Sequence, residues 1–209
     1  MQLVDGVIKY QLDFETADPV EPGLIKEINI WRNILHRLDL VGHYKTVYQG
    51  AGYGNISRRL NDTGEFVITA SHTGEISRTN HTHYVLVTES TIEKNHLTAK
   101  GPSKPSSEAL SHAAIYKALP NINYVFHVHS AAIWKHTEQL NIPATSPDIA
   151  YGTVEMAQEI MRLCQTDGLK GGGILSMGGH QDGVIAFGET ATYTGTALVQ
   201  ALAAAELES

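Results

Sequence analysis

Cysteine is nearly absent. Cys164 stands alone among 209 residues, so no intrachain disulfide can form. That fits a reducing compartment, and a cytoplasmic location is the expectation. Positive charge is also short: 15 Lys and Arg face 22 Asp and Glu, a net charge of −7. The balance argues against a nucleic-acid partner and leaves small molecules or proteins. No apolar run approaches the roughly 20 residues of a membrane-spanning helix, so no membrane partner is expected. The opening MQLVDGVIKYQLDFE carries acids and alternates polar with apolar, unlike a signal peptide. What the chain holds in number is histidine (11) and glycine (19).

The length suits one full core and is short for two, so a single domain over 1–209 is expected. GVIKYQLDF alternates and reads as a strand. Pro19 and Pro22 break the chain. Leu24, Ile25, Ile28, Trp31, Leu35 and Leu38 then recur at helical spacing, with Gly42 as the stop. GAGYGNISRRL reads as a glycine-rich turn entering a short strand, NDTG as a hairpin turn, and EFVITAS and HYVLVTES as strands. PSSEALSHAAIYKALP is a helix from about Ser106 to Leu119, followed by the buried strand NYVFHVHS and the helix GTVEMAQEIMRLCQ. GGGILSMGG and GVIAFG pair across a glycine corner, and YTGTALVQALAAAELE closes as a helix. The pattern is an α/β domain with helices on a mixed or antiparallel sheet.

The chemistry turns on NYVFHVHS. Side chains at i and i+2 of a strand share a face, so His127 and His129 project together while Phe126 and Val128 pack on the other side. Two such imidazoles can chelate one ion, or can form a satisfied hydrogen-bonded pair. A second H-x-H, His81 and His83 in TNHTHYVLV, lies in a polar stretch and reads as surface. Spacing alone does not discriminate, so further ligands are required.

Glu108 is one candidate. Its helix and the strand to His129 are each about 20 Å long, and PNI turns the chain back between them. The strand end therefore returns level with the helix start. Glu108 is also read on the first helical turn, where an anion is favoured, with a pairing to His112 as the alternative role. His180, in MGGHQDGVIAFG, is the other. Three histidines and a carboxylate suit a catalytic divalent metal, zinc by preference, with an exchangeable position.

Two stretches look anion-binding. GYGNIS has neither dinucleotide-loop nor Walker spacing, yet offers amides around Gly54 and Asn55. KPSSE places the hydroxyls of Ser106 and Ser107 at a helix start, with Lys100 and Lys104 nearby. A tight turn and a helix cap are the plain alternatives.

In order, GNIS, FVITAS, PSSEALSHAAIY, HVHS and GGHQDGVIAFG resemble the class II aldolase/adducin family over roughly residues 24–200. The resemblance implies a three-layer α/β/α sandwich with a central mixed, largely antiparallel sheet, leaving 1–22 as an N-terminal extension. It implies a homotetramer with sites near subunit interfaces, and a divalent metal, usually zinc, on His127, His129 and His180. Glu108 falls on the catalytic acid/base, which can also ligate the metal. Gly54, Asn55, Ser71, Ser106 and Ser107 fall on phosphate-binding positions. Asp148 lies near a catalytic aspartate of the family's epimerase. The chain departs from the family in ITASHTG, where the pattern is ITPSG, and in lacking C-terminal tyrosines. The implied activity is a metal-dependent aldolase-type lyase working through a stabilised enediolate on a small sugar, sugar phosphate or hydroxy acid. Dehydration or epimerisation on the same scaffold is the alternative, as is an adducin-like interaction protein.

Overall fold

A computed structural model describes residues 7–166 and 168–208. Its strands are β1 (Gln11–Thr16), β2 (Gly42–His43), β3 (Gly52–Tyr53), β4 (Asn55–Arg59), β5 (Phe66–Thr69), β6 (Tyr84–Thr91), β7 (His96–Gly101), β8 (Tyr124–His129), β9 (Gly173–Ser176) and β10 (Gly183–Gly188). The helices are α1 (Pro22–Arg37), α2 (Ala109–Ala118), α3 (Ala131–Lys135), α4 (Val154–Cys164) and α5 (Ala191–Leu207). Eight strands form one sheet in the order β1-β7-β6-β5-β4-β8-β10-β9, and β2 pairs with β3 apart from it. Only the β1–β7 pair is parallel among the named pairings of that sheet.

Period-2 alternation divides the apolar residues between two cores. Val125 and Ile185 join Leu110, Ala114, Met156 and Ile160 on the face covered by α2 and α4. Phe126, Val128 and Val184 join Ile28, Leu35 and Leu198 on the face covered by α1 and α5. The result is helix, sheet and helix in three layers around two cores. Every residue of β8 is buried, as a central strand covered on both faces must be. Burying a side chain such as Phe126 contributes about 2–3 kcal/mol. Helix starts follow local rules: Pro22 opens α1 at its first turn, and the hydroxyls of Ser130, Thr153 and Thr190 accept the backbone N–H three residues on.

The structure departs from the sequence pattern at two helix ends and in one strand. α1 stops at Arg37, because Asp39 turns left-handed at φ 57° well before Gly42, leaving Leu38 exposed. α2 begins at Ala109, with Glu108 at its N-cap position. The residues before it are committed to the sheet instead. Pro105 bridges Ala70, and the Ser106 N–H donates to the Thr69 carbonyl at 3.2 Å. The strand β7, which the sequence reading did not assign, alternates in burial with Leu97 and Ala99 turned into the core, and it pairs between β1 and β6.

Candidate metal centre and active site

β8 brings His127 and His129 to the face that α2 covers. Across the ladder His127 pairs with Asn55 of β4 and Ile185 of β10, and His129 pairs with Gly183. The MGGH corner then returns His180 onto them. Glycine is required there at Gly178, Gly179 and Gly183. A Cβ on Gly183 would lie 2.6 Å from the His180 ring, and one on Gly179 would collide with the Ile149 carbonyl.

One nitrogen from each of His127, His129 and His180 lies within 4.8 Å of the other two. The Nε2 atoms of His129 and His180 are 3.1 Å apart. His127 Nδ1–H donates to the Val184 carbonyl at 3.2 Å, which leaves its Nε2 as the lone-pair nitrogen. All three rings are at most 4% exposed. Burial is the main reason that each is held neutral. It lowers His127 to about 4, and it lowers His129 and His180 well below the usual range with neighbouring rings adding to the effect. Lys9 contributes a further lowering at His180. Neutral imidazoles gathered on one point are the donor set of a divalent first-row ion, so the three residues could hold a metal.

Glu108 does not belong to this group of ligand atoms. It is buried, 3% exposed, and its Oε2 accepts from Ser111 at 2.9 Å. It is not paired with His112 in the way its i+4 spacing suggested. His112, one turn further along α2, instead meets Ser57 at 2.6 Å, and its Nε2 has no hydrogen-bond partner. Burial first, and then the neighbouring His127 imidazole, hold His112 well below its usual range. His112 thus lies over Ser57, whose partner across the ladder is Val125, and close enough to His127 to be influenced by it. Asp148 is not brought in. It is exposed in the loop over Gly179, its N–H donating to Ser146 Oγ at 3.3 Å.

The anion-type residues largely converge. Gly54, Asn55, Ser71 and Ser106 line one cavity of about 340 Å³ together with Gly74 and Glu75. Ser107 is buried and outside that wall. The wall contains no Lys or Arg. Gly54 has φ +76°, and a Cβ there would meet Val41 at 2.8 Å. The Asn55 amide oxygen is buried without a partner. Arg32 of α1, fully buried, braces the loop below the cavity, its guanidinium donating to the carbonyls of Ile76 and of Thr73, the latter at 2.6 Å. The control pair behaves as surface. His81 and His83 sit in a short 3-10 turn, partly exposed, with His83 Nδ1 accepting the Asn80 N–H at 3.0 Å.

Sequence reasoning missed an aromatic surround. Tyr48 lies edge-on to His129 at 4.5 Å between ring centres, and its hydroxyl donates to Asp182 at 2.7 Å. Tyr53 lies 5.5 Å from His129, and Tyr151 4.6 Å from His180. The left-handed backbone of Tyr48 and Gln49 (φ 49° and 58°) carries no sequence mark. Asp182, two residues beyond His180, was the one visible signal.

The profile of the Class II Aldolase and Adducin N-terminal domain matches residues 42–207. Among solved structures, L-fuculose-1-phosphate aldolase from Thermus thermophilus is 17% identical, with 88% of this chain and 92% of that one covered at a TM-score of 0.64. A sugar-phosphate aldolase from Thermotoga maritima is 18% identical, with 88% and 93% covered at 0.66. YgbL from Escherichia coli, a candidate aldolase/epimerase/decarboxylase, is 16% identical, with 89% and 88% covered at 0.66. These likenesses cover 88–89% of this chain and show the same fold, and the match over residues 42–207 establishes that the chain belongs to the class II aldolase and adducin N-terminal domain family.

Proposed function

We propose that this protein is a metal-dependent aldolase-type lyase that cleaves a carbon–carbon bond in a small hydroxylated substrate. The observation that carries the reading is the buried group His127, His129 and His180 on one point, with a buried carboxylate, Glu108, on the adjoining helix start. These three residues would hold the ion, zinc by donor type. The ion supplies Lewis-acid polarisation of a substrate carbonyl oxygen. The rest is the work of this chain. Glu108, oriented by Ser111, takes the proton from the hydroxyl that becomes the carbonyl of one fragment and returns a proton to the carbon released in the other. The wall of Gly54, Asn55, Ser71 and Ser106 holds the far end of the substrate through hydroxyls and amides. Tyr48, Tyr53 and Tyr151 shield the histidines from water.

Dehydration or epimerisation would use the same residues, and the far-end contacts choose among them. An adducin-like role without chemistry is disfavoured by the intact, buried histidine group. The deciding experiment loads the protein with zinc and offers keto-sugars, their phosphates and hydroxy acids, with products identified by mass. Cleavage of one of these into two fragments supports the lyase. Loss of water or a change of configuration moves the assignment to dehydratase or epimerase. No product from any of them favours the non-catalytic role.

Assembly as a homotetramer accompanies this reading. Leu38, Tyr44 and Val47 are exposed apolar residues in the wall of a cavity that reaches His129. Light scattering at micromolar concentration is expected to give a mass several times that of the chain; a monomer would count against a site at a subunit interface.

A further inference from the structure

Three features of the sequence stand outside the chemistry at the histidines: the ITASHTG stretch, the second H-x-H, and Lys104 beside the serines of KPSSE. The fold brings all three to one place. A cavity of about 810 Å³ adjoins the cavity of Asn55 and Ser106, and Val7, Ala70, Ser71, His72 and Thr73 line both. The shared wall is held from several sides. The Ser71 N–H donates to the Lys104 carbonyl at 2.9 Å, and the Ser71 hydroxyl donates to the Pro105 carbonyl at 2.9 Å. Thr73 Oγ1 donates to the Ala70 carbonyl at 2.9 Å, and Arg32 holds the Thr73 carbonyl. Between them His72 takes a left-handed backbone, φ 60°, which costs a residue with a side chain and persists only where its surroundings fix it.

The two cavities differ in charge. The Asn55 cavity has Glu75 in its wall and no Lys or Arg. The adjoining one has Lys104, His72 and His83 and no Asp or Glu. Lys104 is exposed and makes no ion pair among the described residues. His83 accepts the Asn80 N–H on Nδ1 at 3.0 Å, so its neutral ring carries the proton on Nε2 and has a donor to offer. The hydroxyls of Thr82 and Ser103 belong to the same wall. The other side is apolar, formed by Val7, Ile8, Phe14 and Ile76. Val7 is 49% exposed, and the other three are half-buried. Water leaves such a surface favourably when an apolar body covers it. A lysine and N–H donors with no acid among them favour an anion.

We infer that this cavity is a second ligand site, beside the substrate cavity, for a carboxylate carried on an apolar body. One lysine answers one negative charge, and the His83 Nε2–H adds a hydrogen bond to it. The apolar body lies against Ile8, Phe14 and Ile76. No histidine of the metal group lines the cavity, so the inference goes beyond the metal reading and is tested apart from it.

The test compares two probes of like shape and different charge, 3-phenylpropionate and 3-phenylpropanol, by equilibrium dialysis on the full chain. The unaltered protein should bind the acid more tightly than the alcohol. In Lys104→Met the dissociation constant for the acid should rise about fivefold, the scale of one solvent-screened charge pair, with that for the alcohol unchanged. Lys104→Arg should keep the preference. Ile76→Asn should weaken both probes. Ser106→Ala, in the other cavity, should change neither, and inorganic phosphate should not displace the acid. Chelator treatment should also change neither, which separates this result from the fate of the metal reading. Failure of the acid to bind, or a preference for it that survives Lys104→Met, would overturn the inference. Loss of acid binding in Ser106→Ala would move the carboxylate to the substrate cavity, and loss on chelation would move it to the metal; either would overturn the inference while leaving the metal reading in place.

Discussion

The Nε2 atoms of His129 and His180 lie 3.1 Å apart, although 51 residues separate them in the chain. Two imidazole nitrogens this close share a proton or a ligand. With His127 in the same group, one divalent ion per chain is the expected content. Elemental analysis of two variants checks it. His127→Ala should lose the metal. His81→Ala should keep it, since its neighbour His83 is already engaged by Asn80. Metal retained in His127→Ala and lost in His81→Ala would show that the other H-x-H is the site.

Glu108→Gln should fold and lose activity. Gln matches the shape and can still accept from Ser111, but it cannot shuttle a proton. The expected fall in kcat is about 10²- to 10⁴-fold, with metal content unchanged. Near-normal kcat in this variant would move proton transfer elsewhere. Asp182, held by Tyr48 beside His129, is then the next residue to replace, ahead of the exposed Asp148.

The histidine pair was legible because a strand has only two faces. Once NYVFHVHS is a buried strand, His127 and His129 must share one. His180 was legible only through its glycines, which permit a corner that other residues forbid. Glu108 came from matching the length of a helix to the length of a strand. α2 starts later than its pattern, because Ser106 and Pro105 are tied to β5 and Ala70 by long-range contacts that no local signal records. Lys9, Tyr48 and Tyr151 were invisible for the same reason. Their roles come from contacts across the chain, with Lys9 meeting Tyr151 across 142 residues and Tyr48 meeting Asp182 across 134. The strand β7 was missed although Leu97 and Ala99 alternate with polar neighbours in HLTAKG; the signal is short and weakly apolar, and its place between β1 and β6 is a tertiary outcome.

Metal-free protein should lose stability in mild acid. His112, His127, His129 and His180 are buried and held below the usual histidine range, chiefly by desolvation, with His127 at about 4. In the unfolded chain they protonate near 6.5. The unfolded state therefore binds more protons between these limits. For His127 the stability is complete above about 6.5 and declines as pH falls toward about 4. Thermal unfolding of chelator-treated protein should show Tm falling across that window. A flat Tm there would contradict four buried neutral imidazoles.

The cavity lined by Gly54, Asn55, Ser71 and Ser106 should take the end of the substrate remote from the metal. Its donors are neutral, and with Glu75 in the wall a phosphate there would depend on hydroxyls and amides instead of charge pairing. Ser106 and Ser71 belong to the wall, while Ser107 does not. Inorganic phosphate at millimolar concentration is expected to inhibit turnover. Ser106→Ala and Ser71→Ala should weaken that inhibition, and Ser107→Ala should leave it unchanged. A Ser107→Ala variant with the larger effect would shift the anion toward the helix start. The loop from Thr73 to Ile76, braced by Arg32, gives a second handle: Arg32→Met leaves the Thr73 and Ile76 carbonyls without their donor and should raise the phosphate concentration needed for inhibition. If phosphate has no effect while a simple dicarboxylate inhibits, both ends of the substrate are acids, and sugar phosphates leave the field.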